Sequence, residues 1–221
     1  MEIEYDYKKM ELDVLTKCFL RKDFLPFLEH LVARADSLGD LFSVGFIDLD
    51  HFKCMNDTYG HAFGDQALEY FSSSLRLSFE VRFEGMAEQP SVFVFRYGGD
   101  EFVAVFLDVT GKQAHAMLNT ALRNMRERRF LCKGKQFLMT FSAGVAAYPM
   151  DAKDVTTLLA KADKAVYFSK KHGRGRVTLY SRMGLWAFKK FMVRLLFIVL
   201  LLGSMVMAFK FLASFMGRIK L

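Results

Sequence analysis

The amino-acid sequence predicts an α/β sandwich in which helices cover a largely antiparallel sheet. Stretches with helical apolar spacing alternate with Val- and Phe-rich runs along residues 1–180. A tight hairpin lies near the middle of the chain, and neither a repeat nor a low-complexity segment interrupts the pattern. A chain of 221 residues can form one well-packed domain and little more.

Four helices are predicted from apolar residues that recur every three or four positions. The first covers about residues 22–38, and the others cover about 65–83, 111–128 and 155–171. The apolar stripe of the first helix consists of Leu25, Leu28, Leu31 and Val32. The apolar face of the third helix consists of Ala114, Met117, Leu118, Ala121, Leu122 and Met125.

Strands are predicted at runs that are rich in β-branched and aromatic residues. They cover residues 41–49, 92–96, 102–106, 136–147 and 176–180. The first of them, LFSVGFIDL, is apolar enough to lie in the centre of the sheet.

The hairpin SVFVFRYGGDEFVAVF, residues 91–106, carries two adjacent acids at its tip. Gly98 and Gly99 supply the positive φ of a tight turn and let another group approach the backbone closely. Asp100 and Glu101 follow the turn, and their mutual repulsion is costly unless a cation or a proton compensates it. A solvated turn explains the same residues, so the hairpin alone leaves both interpretations open.

A second group of acids follows the predicted central strand, in FIDLDHFKCMNDTYGHAFGD, residues 46–65. Asp48 and Asp50 share one strand face because strand side chains alternate. Carboxylates at a strand end beside the acidic hairpin are oxygen ligands, which suit Mg²⁺ better than zinc. Asp48 is therefore predicted to bind metal, because an unpaired acid there is costly. Asp50 and Asp57 are interpreted as caps of short helices.

The remainder of this segment is polar and contains glycines, which suits contact with a nucleobase. Its members are Asn56, Asp57, Gly60, His61, Gly64 and Asp65. Amide and carboxylate groups can pair with the edge of a guanine. Asp65 has a second interpretation, as the cap of the following helix.

The basic charge of the chain does not indicate a nucleic-acid partner. The formal net charge is +7, and residues 181–221 hold seven Lys or Arg residues and no acid. The rest of the chain is therefore balanced and has no excess of cations for a phosphate backbone. Cys18, Cys54 and Cys132 are widely spaced, which favours a reducing cytosol over a disulfide framework.

The C-terminal part predicts a membrane-spanning helix. Residues 195–209 carry no charge, and the apolar stretch over 191–216 exceeds the roughly 20 residues that a span needs. Arg194 and Lys210 lie near its ends, where long side chains can reach the headgroups. Basic residues are more numerous before the span than after it, which places residues 1–185 in the cytoplasm. The alternative, an amphipathic surface helix, needs a polar face that this run lacks.

Several of these stretches resemble the GGDEF-domain diguanylate cyclases. RYGGDEF at residues 96–102 and the segment 46–65 carry the resemblance. DVLTKCFLRKDF at 13–24 is similar to the family's N-terminal DxLTxLxNR element. FSAGVAAYP at 141–149 and ADKAVYFSKKHGRGRV at 162–177 resemble its later blocks. The resemblance covers residues 13–180 and implies a palm-like fold of the nucleotidyl-cyclase type.

The resemblance also divides the chain into segments. These are a short lead (1–12), the cyclase-like domain (13–180), a basic juxtamembrane segment (181–190), the predicted span (191–216) and a short basic tail (217–221). The expected location is the bacterial inner (cytoplasmic) membrane, with a single pass and a cytoplasmic catalytic domain.

Individual residues acquire roles by the same resemblance. Asp48, Asp100, Glu101 and the Leu49 carbonyl would hold two Mg²⁺ ions per active site, with Mn²⁺ as an alternative. Asp100, Glu101 and Lys53 would be catalytic. The substrate-binding residues would be Phe52, Asn56, His61, Asp65, Gly98, Gly99, Lys170 and Arg174.

The implied activity is the condensation of two GTP molecules into cyclic di-GMP with release of pyrophosphate. Each domain would hold one GTP, so catalysis requires a homodimer, and an unidentified regulatory protein is a further expected partner. The alternative is a catalytically silent, GTP-binding scaffold at the membrane, which the intact signature of acids and glycines disfavours.

The sequence departs from the family pattern in three places. Leu20 and Gly175 replace asparagines, and QPSV at residues 89–92 replaces the RxxD motif through which the product inhibits these enzymes. Without that Arg and Asp, no product feedback by this route is expected.

Overall fold

The computed structural model of the protein describes residues 7–80 and 92–184, together with Met192 and Met207. The chain divides into two units, Met1–Tyr180 and Ser181–Leu221. Among the described residues, no helix is both long enough and apolar enough to cross a membrane. Apart from Met192 and Met207, the predicted span over 191–216 lies outside the described residues, so it stays a prediction.

The first unit alternates strands and helices after a short 3₁₀ turn at Tyr7–Lys9. The strands are β1 Phe19–Leu20, β2 Phe42–Leu49, β3 Val92–Gly98, β4 Glu101–Leu107, β5 Phe130–Cys132, β6 Lys135–Phe137, β7 Phe141–Tyr148 and β8 Val177–Leu179. The helices are α1 Arg21–Leu38, α2 Phe52–Tyr59, α3 His61–Glu80, α4 Gly111–Glu127 and α5 Val155–Lys171.

The main sheet has six strands in the order β1-β3-β4-β2-β7-β8. Its four inner strands, β3, β4, β2 and β7, pair antiparallel, as the sequence predicts. The two edge strands are parallel to their neighbours, so the sheet as a whole is mixed. Strand β2 lies in the middle, which confirms that the LFSVGFIDL run is central.

Helices cover both faces of this sheet. Helices α3 and α4 pack on one face, which receives Ile47 and Leu49 of β2. Helices α1 and α5 pack on the other face, which receives Phe42 and Val44. The alternation of strand side chains thus divides β2 between two apolar cores and holds its C-terminal end between the two helix layers.

The four predicted helices are confirmed, with local signals at their ends. Thr110 and Gln113 form a capping box at the start of α4, and Asp154 accepts a hydrogen bond from the Thr157 N–H at the start of α5. The predicted apolar face of α4 is buried as expected. In α1 the stripe differs, because Leu25 is 48% exposed and Phe24 and Phe27 are buried in its place.

The prediction of one strand over 136–147 is wrong. Lys133 and Gly134 have positive φ angles of 47° and 73°, and the turn they form folds β6 back onto β5 in a separate two-stranded sheet. The main-sheet strand β7 begins only at Phe141. The short strands β1 and β5 were not predicted, because two or three residues are too few to show a period.

Helix α5 lies directly on the backbone of β7. A Cβ atom built on Gly144 would come within 2.3 Å of the Ala162 carbonyl oxygen and of the Val166 nitrogen, so only glycine fits. At the end of the helix, the Ser169 hydroxyl donates a 2.8 Å hydrogen bond to the Ala143 carbonyl. This close packing brings Lys170, the next residue, to the C-terminal end of β2.

Candidate active site

The β3–β4 hairpin turns one residue later than the sequence predicts. Gly98 pairs with Glu101, so the two turn residues are Gly99 and Asp100, and the expected Gly98-Gly99 turn is wrong. The register of the two strands shifts between Arg96 and Gly98, which leaves Tyr97 of β3 without a paired residue on β4. Gly99 has a φ of 45°. Asp100 therefore lies in the turn itself, and Glu101 is the first residue of β4.

Strand pairing brings the acids of the two motifs together. Asp48 of β2 is paired with Glu101 of β4, and the Leu49 N–H donates a hydrogen bond of 3.3 Å to the Asp100 carbonyl. Asp48 Oδ2 accepts a 2.6 Å hydrogen bond from Lys170 Nζ. Lys170, expected at a phosphate, is thus the partner of a predicted metal ligand.

The local electrostatics raise the pKa of Asp48. Burial is the largest cause, the bond from Lys170 opposes it, and the charges of Asp100 and Glu101 raise the pKa further. All three carboxylates therefore interact electrostatically at one end of the sheet. Such a concentration of negative charge favours a bound cation.

A cavity of about 270 Å³ opens beside these carboxylates. Asp48, Glu101 and Lys170 line it together with Tyr97 and Val166. The Arg21 guanidinium carbon lies 4.5 Å from the centre of the Tyr97 ring, within the range of a cation–π interaction. The cavity is thus lined by both charged and apolar side chains.

The donor set fits magnesium rather than a softer metal. Within residues 7–80 and 92–184, no group of three or more His, Cys, Asp and Glu side chains is spaced to hold an ion by itself. Mg²⁺ is commonly bound by one or two carboxylates, with substrate phosphates and water completing its shell. Asp48 and its neighbours suit that mode, and their assignment as ligands stays a prediction.

Asn56 of α2 is positioned for a polar partner that the described residues do not supply. Its Oδ1 atom is buried and accepts no hydrogen bond there. A Cβ atom at Gly64 would lie 1.8 Å from this oxygen, so the glycine of α3 makes the space that Asn56 occupies. A buried acceptor without a donor costs about 1–3 kcal/mol. Asn56 as a whole is half-buried, and its role in binding guanine stays a prediction.

Further residues of the predicted site lie on α3, at the start of α2 and in the loop after α5. His61 and Asp65 are exposed in the first turns of α3, and Asp65 is inside the helix, so its interpretation as a cap is wrong. Phe52 is half-buried and packs against the core from the start of α2. Lys53 and Arg174 are exposed, and neither side chain has a hydrogen bond or ion pair with the described residues. Both cations are therefore free to meet an anionic ligand.

Comparison with known proteins shows the family of the chain. Residues 10–176 match the family described as "Diguanylate cyclase, GGDEF domain". The chain belongs to this family.

Named relatives share the domain. Diguanylate cyclase A of Treponema denticola is 32% identical over 170 residues, which are 76% of this chain and 43% of that protein. Diguanylate cyclase DosC of Escherichia coli K12 is 34% identical over 182 residues, or 80% of this chain and 36% of that protein. The chain thus spans less than half the length of these curated relatives.

A solved structure confirms the fold. The GGDEF domain of DgcB from Caulobacter crescentus, crystallised in complex with c-di-GMP, superposes with a TM-score of 0.68 at 29% identity. The superposition covers 81% of this chain and 99% of that one. The palm-like α/β fold implied by the sequence motifs is therefore confirmed for the GGDEF domain.

Asp50 has a structural role that sequence reasoning missed. It is 4% exposed, and its carboxylate accepts hydrogen bonds from Thr140 Oγ1 at 2.8 Å, Ser142 Oγ at 2.7 Å and the Gly175 N–H at 2.9 Å. Residue 51 is at the N-cap position of α2, and Asp57 lies within that helix. The interpretation of Asp50 and Asp57 as helix caps is therefore wrong.

Arg96 ties the GGDEF hairpin to the N-terminal DVLT element. Its Nη1 atom lies 3.0 Å and 3.2 Å from the two carboxylate oxygens of Asp13, and its Nε donates to the Gly99 carbonyl at 3.2 Å. Asp13 also accepts from the Thr16 N–H and hydroxyl, at 2.8 Å and 2.7 Å. Burial raises the pKa of Asp13, but the bonds from Thr16 and the charge of Arg96 outweigh it, so the net pKa is lowered.

The Asp13–Arg96 pair predicts a specific pH dependence of stability. Because folding lowers the pKa of Asp13, its charged form stabilises the fold above about pH 4 and loses this effect as the pH falls through the folded-state pKa. We expect Asp13→Asn to lower the free energy of unfolding by about 1 kcal/mol at neutral pH. The difference from the wild type should shrink as the pH falls below the ordinary Asp pKa of about 4 and through the lower pKa of the folded state.

Urea denaturation across this pH range measures the effect. Asp57→Asn, which changes an exposed carboxylate, is the matched control and should show no such convergence. A stability difference for Asp13→Asn that stays constant at every pH would contradict the prediction.

Proposed function

We propose that the protein is a Mg²⁺-dependent diguanylate cyclase that condenses two GTP molecules into cyclic di-GMP and releases pyrophosphate. The observation that carries this proposal is the strand register that sets Asp48 opposite Glu101, with Asp100 in the adjoining turn. Membership of the GGDEF family and the names of its relatives support it.

The reaction needs a base, charge neutralisation and a positioned phosphate chain. The ribose 3′-oxygen forms a bond to the α-phosphorus while the bond from that phosphorus to pyrophosphate breaks. Mg²⁺ bound through Asp48, Asp100, Glu101 and the Leu49 carbonyl would lower the pKa of the hydroxyl and neutralise the leaving group. Asp100 or Glu101 accepts the hydroxyl proton, and the exposed ammonium of Lys53 stabilises the developing negative charge.

Guanine selection is assigned to α2 and α3. The amide group of Asn56 pairs with the base, and the exposed Asp65 carboxylate accepts from its other N–H groups. Lys170 and Arg174 hold phosphates, with Lys170 also bonded to Asp48. The remaining members of this substrate site are Phe52, His61, Gly98 and Gly99.

The direct test of the activity is product formation from GTP and Mg²⁺, measured by chromatography. Asp100→Ala should lower the rate at least about a hundredfold, because removing a group that stabilises transition-state charge costs roughly 3 kcal/mol or more. Asp108→Asn is the matched control, since Asp108 is exposed just beyond the opposite end of β4 and should leave the rate unchanged.

Two results would count against this assignment. Near-normal turnover by Asp100→Ala would show that the metal carboxylates are misassigned. Absence of cyclic di-GMP from a demonstrably dimeric wild-type preparation would favour the silent GTP-binding scaffold instead.

Ring closure requires two GTP molecules, so we propose a homodimer in which two such sites face each other. We also propose that residues 191–216 anchor the chain in the bilayer, where confinement raises the effective concentration of the pairing domains. The support is the length and apolar character of this segment, with its basic N-terminal flank.

Comparing the full chain with residues 1–184 tests this arrangement. The full chain should sediment with membranes and resist a carbonate wash, and the truncated form should lose activity per molecule on dilution. Release of the full chain by carbonate would refute the anchor. Equal activity of both forms at every dilution would refute the role of confinement.

We further propose that the enzyme is not inhibited by its product through the usual RxxD site, because residues 89–92 read QPSV. Initial rates should change little as cyclic di-GMP is added. Strong noncompetitive inhibition at low concentrations of added product would overturn this proposal.

A further inference from the structure

We infer that Arg126 of α4 is a positioning residue, which works with Asp50 to fix the loop that presents Arg174 to the substrate phosphates. This inference rests on the proposed function of Arg174. Arg126 belongs to none of the motifs in the sequence, and it lies 49 residues from the loop that it contacts.

The loop after α5 has a backbone conformation that needs support. Gly173, Arg174 and Gly175 have φ angles of 103°, 56° and 53°, so three consecutive residues are in the left-handed half of φ space. An L residue such as Arg174 adopts that region only at an energetic cost. Hydrogen bonds from the surrounding structure must therefore maintain this conformation.

Both backbone polar groups of Gly175 are held by charged side chains. Its N–H donates to Asp50 Oδ2 at 2.9 Å, and its carbonyl accepts from Arg126 Nη2. The Arg174 N–H donates to the Ser169 carbonyl at 3.1 Å. The peptide groups on both sides of Arg174 are thus bound, while its side chain is exposed. A fixed backbone at Arg174 limits the positions that its exposed guanidinium can reach, as a preorganised binding site requires.

Arg126 also fills the space beside Gly175. A Cβ atom built on Gly175 would lie 2.6 Å from Arg126 Nη2 and 3.7 Å from Thr140 Cβ. The guanidinium therefore occupies the position that a side chain at residue 175 would take. Because Gly175 has no side chain, the Arg126 guanidinium can come close enough to donate its hydrogen bond to the Gly175 carbonyl.

The arrangement requires little else of Arg126. It is exposed in the last turn of α4, and its guanidinium is within ion-pair distance of no carboxylate among the described residues. Among the described residues, the Arg126 side chain donates its hydrogen bond to the Gly175 carbonyl. Substitution of Arg126 is therefore expected to act on the Arg174 loop rather than on the core.

A double-mutant cycle on the full chain separates positioning from a general structural effect. We expect Arg126→Ala to raise the KM for GTP about tenfold with a change in kcat of less than about threefold, and we expect the same changes for Arg174→Ala. The double variant Arg126→Ala/Arg174→Ala should resemble Arg174→Ala alone, because Arg126 acts only through Arg174. The conservative variant Arg126→Lys, which keeps a donor without the planar fork, should lie between wild type and Arg126→Ala.

Controls keep the inference falsifiable. Arg123→Ala, an exposed arginine one turn earlier on the same helix, should leave both constants unchanged. The thermal midpoint of Arg126→Ala should match that of Arg123→Ala. Additive effects of Arg126→Ala and Arg174→Ala, or a KM for Arg126→Ala equal to that of the wild type, would overturn the inference.

Binding of a non-hydrolysable GTP analogue distinguishes this inference from the proposed function. If the wild-type protein binds the analogue but forms no product, the cyclase assignment fails. The double-mutant cycle of Arg126 and Arg174 then uses the dissociation constants of the analogue in place of KM. If the wild type is active and Arg126→Ala binds the analogue equally well, only the positioning role fails.

Discussion

The pairing register of β2 with its two neighbours is the constraint on which the rest of the site depends. Asp48 lies opposite Glu101 on β4 and opposite Ser142 on β7. A shift of one residue would turn Asp48 toward the core under α3 and α4 and expose Ile47 instead. The buried residues on both faces of β2 oppose such a shift, so two apolar cores hold a charged group at a defined place.

Near these paired strands, some charged side chains bind backbone atoms of loops, while others face the cavity. Asp50 joins β7 to the loop after α5, and Arg96 joins the GGDEF turn to the N-terminal DVLT element. In each case a charged group forms a hydrogen bond with a main-chain atom of a turn, and such charge-assisted bonds are stronger than those between neutral groups. The segments that carry Asp100 and Arg174 are thereby held from outside the cavity.

Local patterns predicted most of the elements. The apolar face of α4 and the start of α5 follow from the apolar period alone, and both agree with the structure. The errors occurred where a turn interrupts a uniform run, as at Lys133-Gly134, or where two turns compete, as at Gly98-Gly99-Asp100. Neighbouring residues in the chain do not distinguish these alternatives, because strand pairing with distant residues decides them.

By itself, the sequence determined the α/β class, the positions of the long helices and the acidic motifs that indicate a divalent cation and a guanine nucleotide. Only the tertiary structure decided what individual polar residues do. Asp50, interpreted as a cap, binds a residue 125 positions away, and Lys170, expected at a phosphate, bonds to Asp48. Propensity and capping are short-range effects that a sequence displays directly. Packing of the whole chain decides which residues become partners of buried charges. These partners lie in segments that are far apart in the sequence and show no related pattern there.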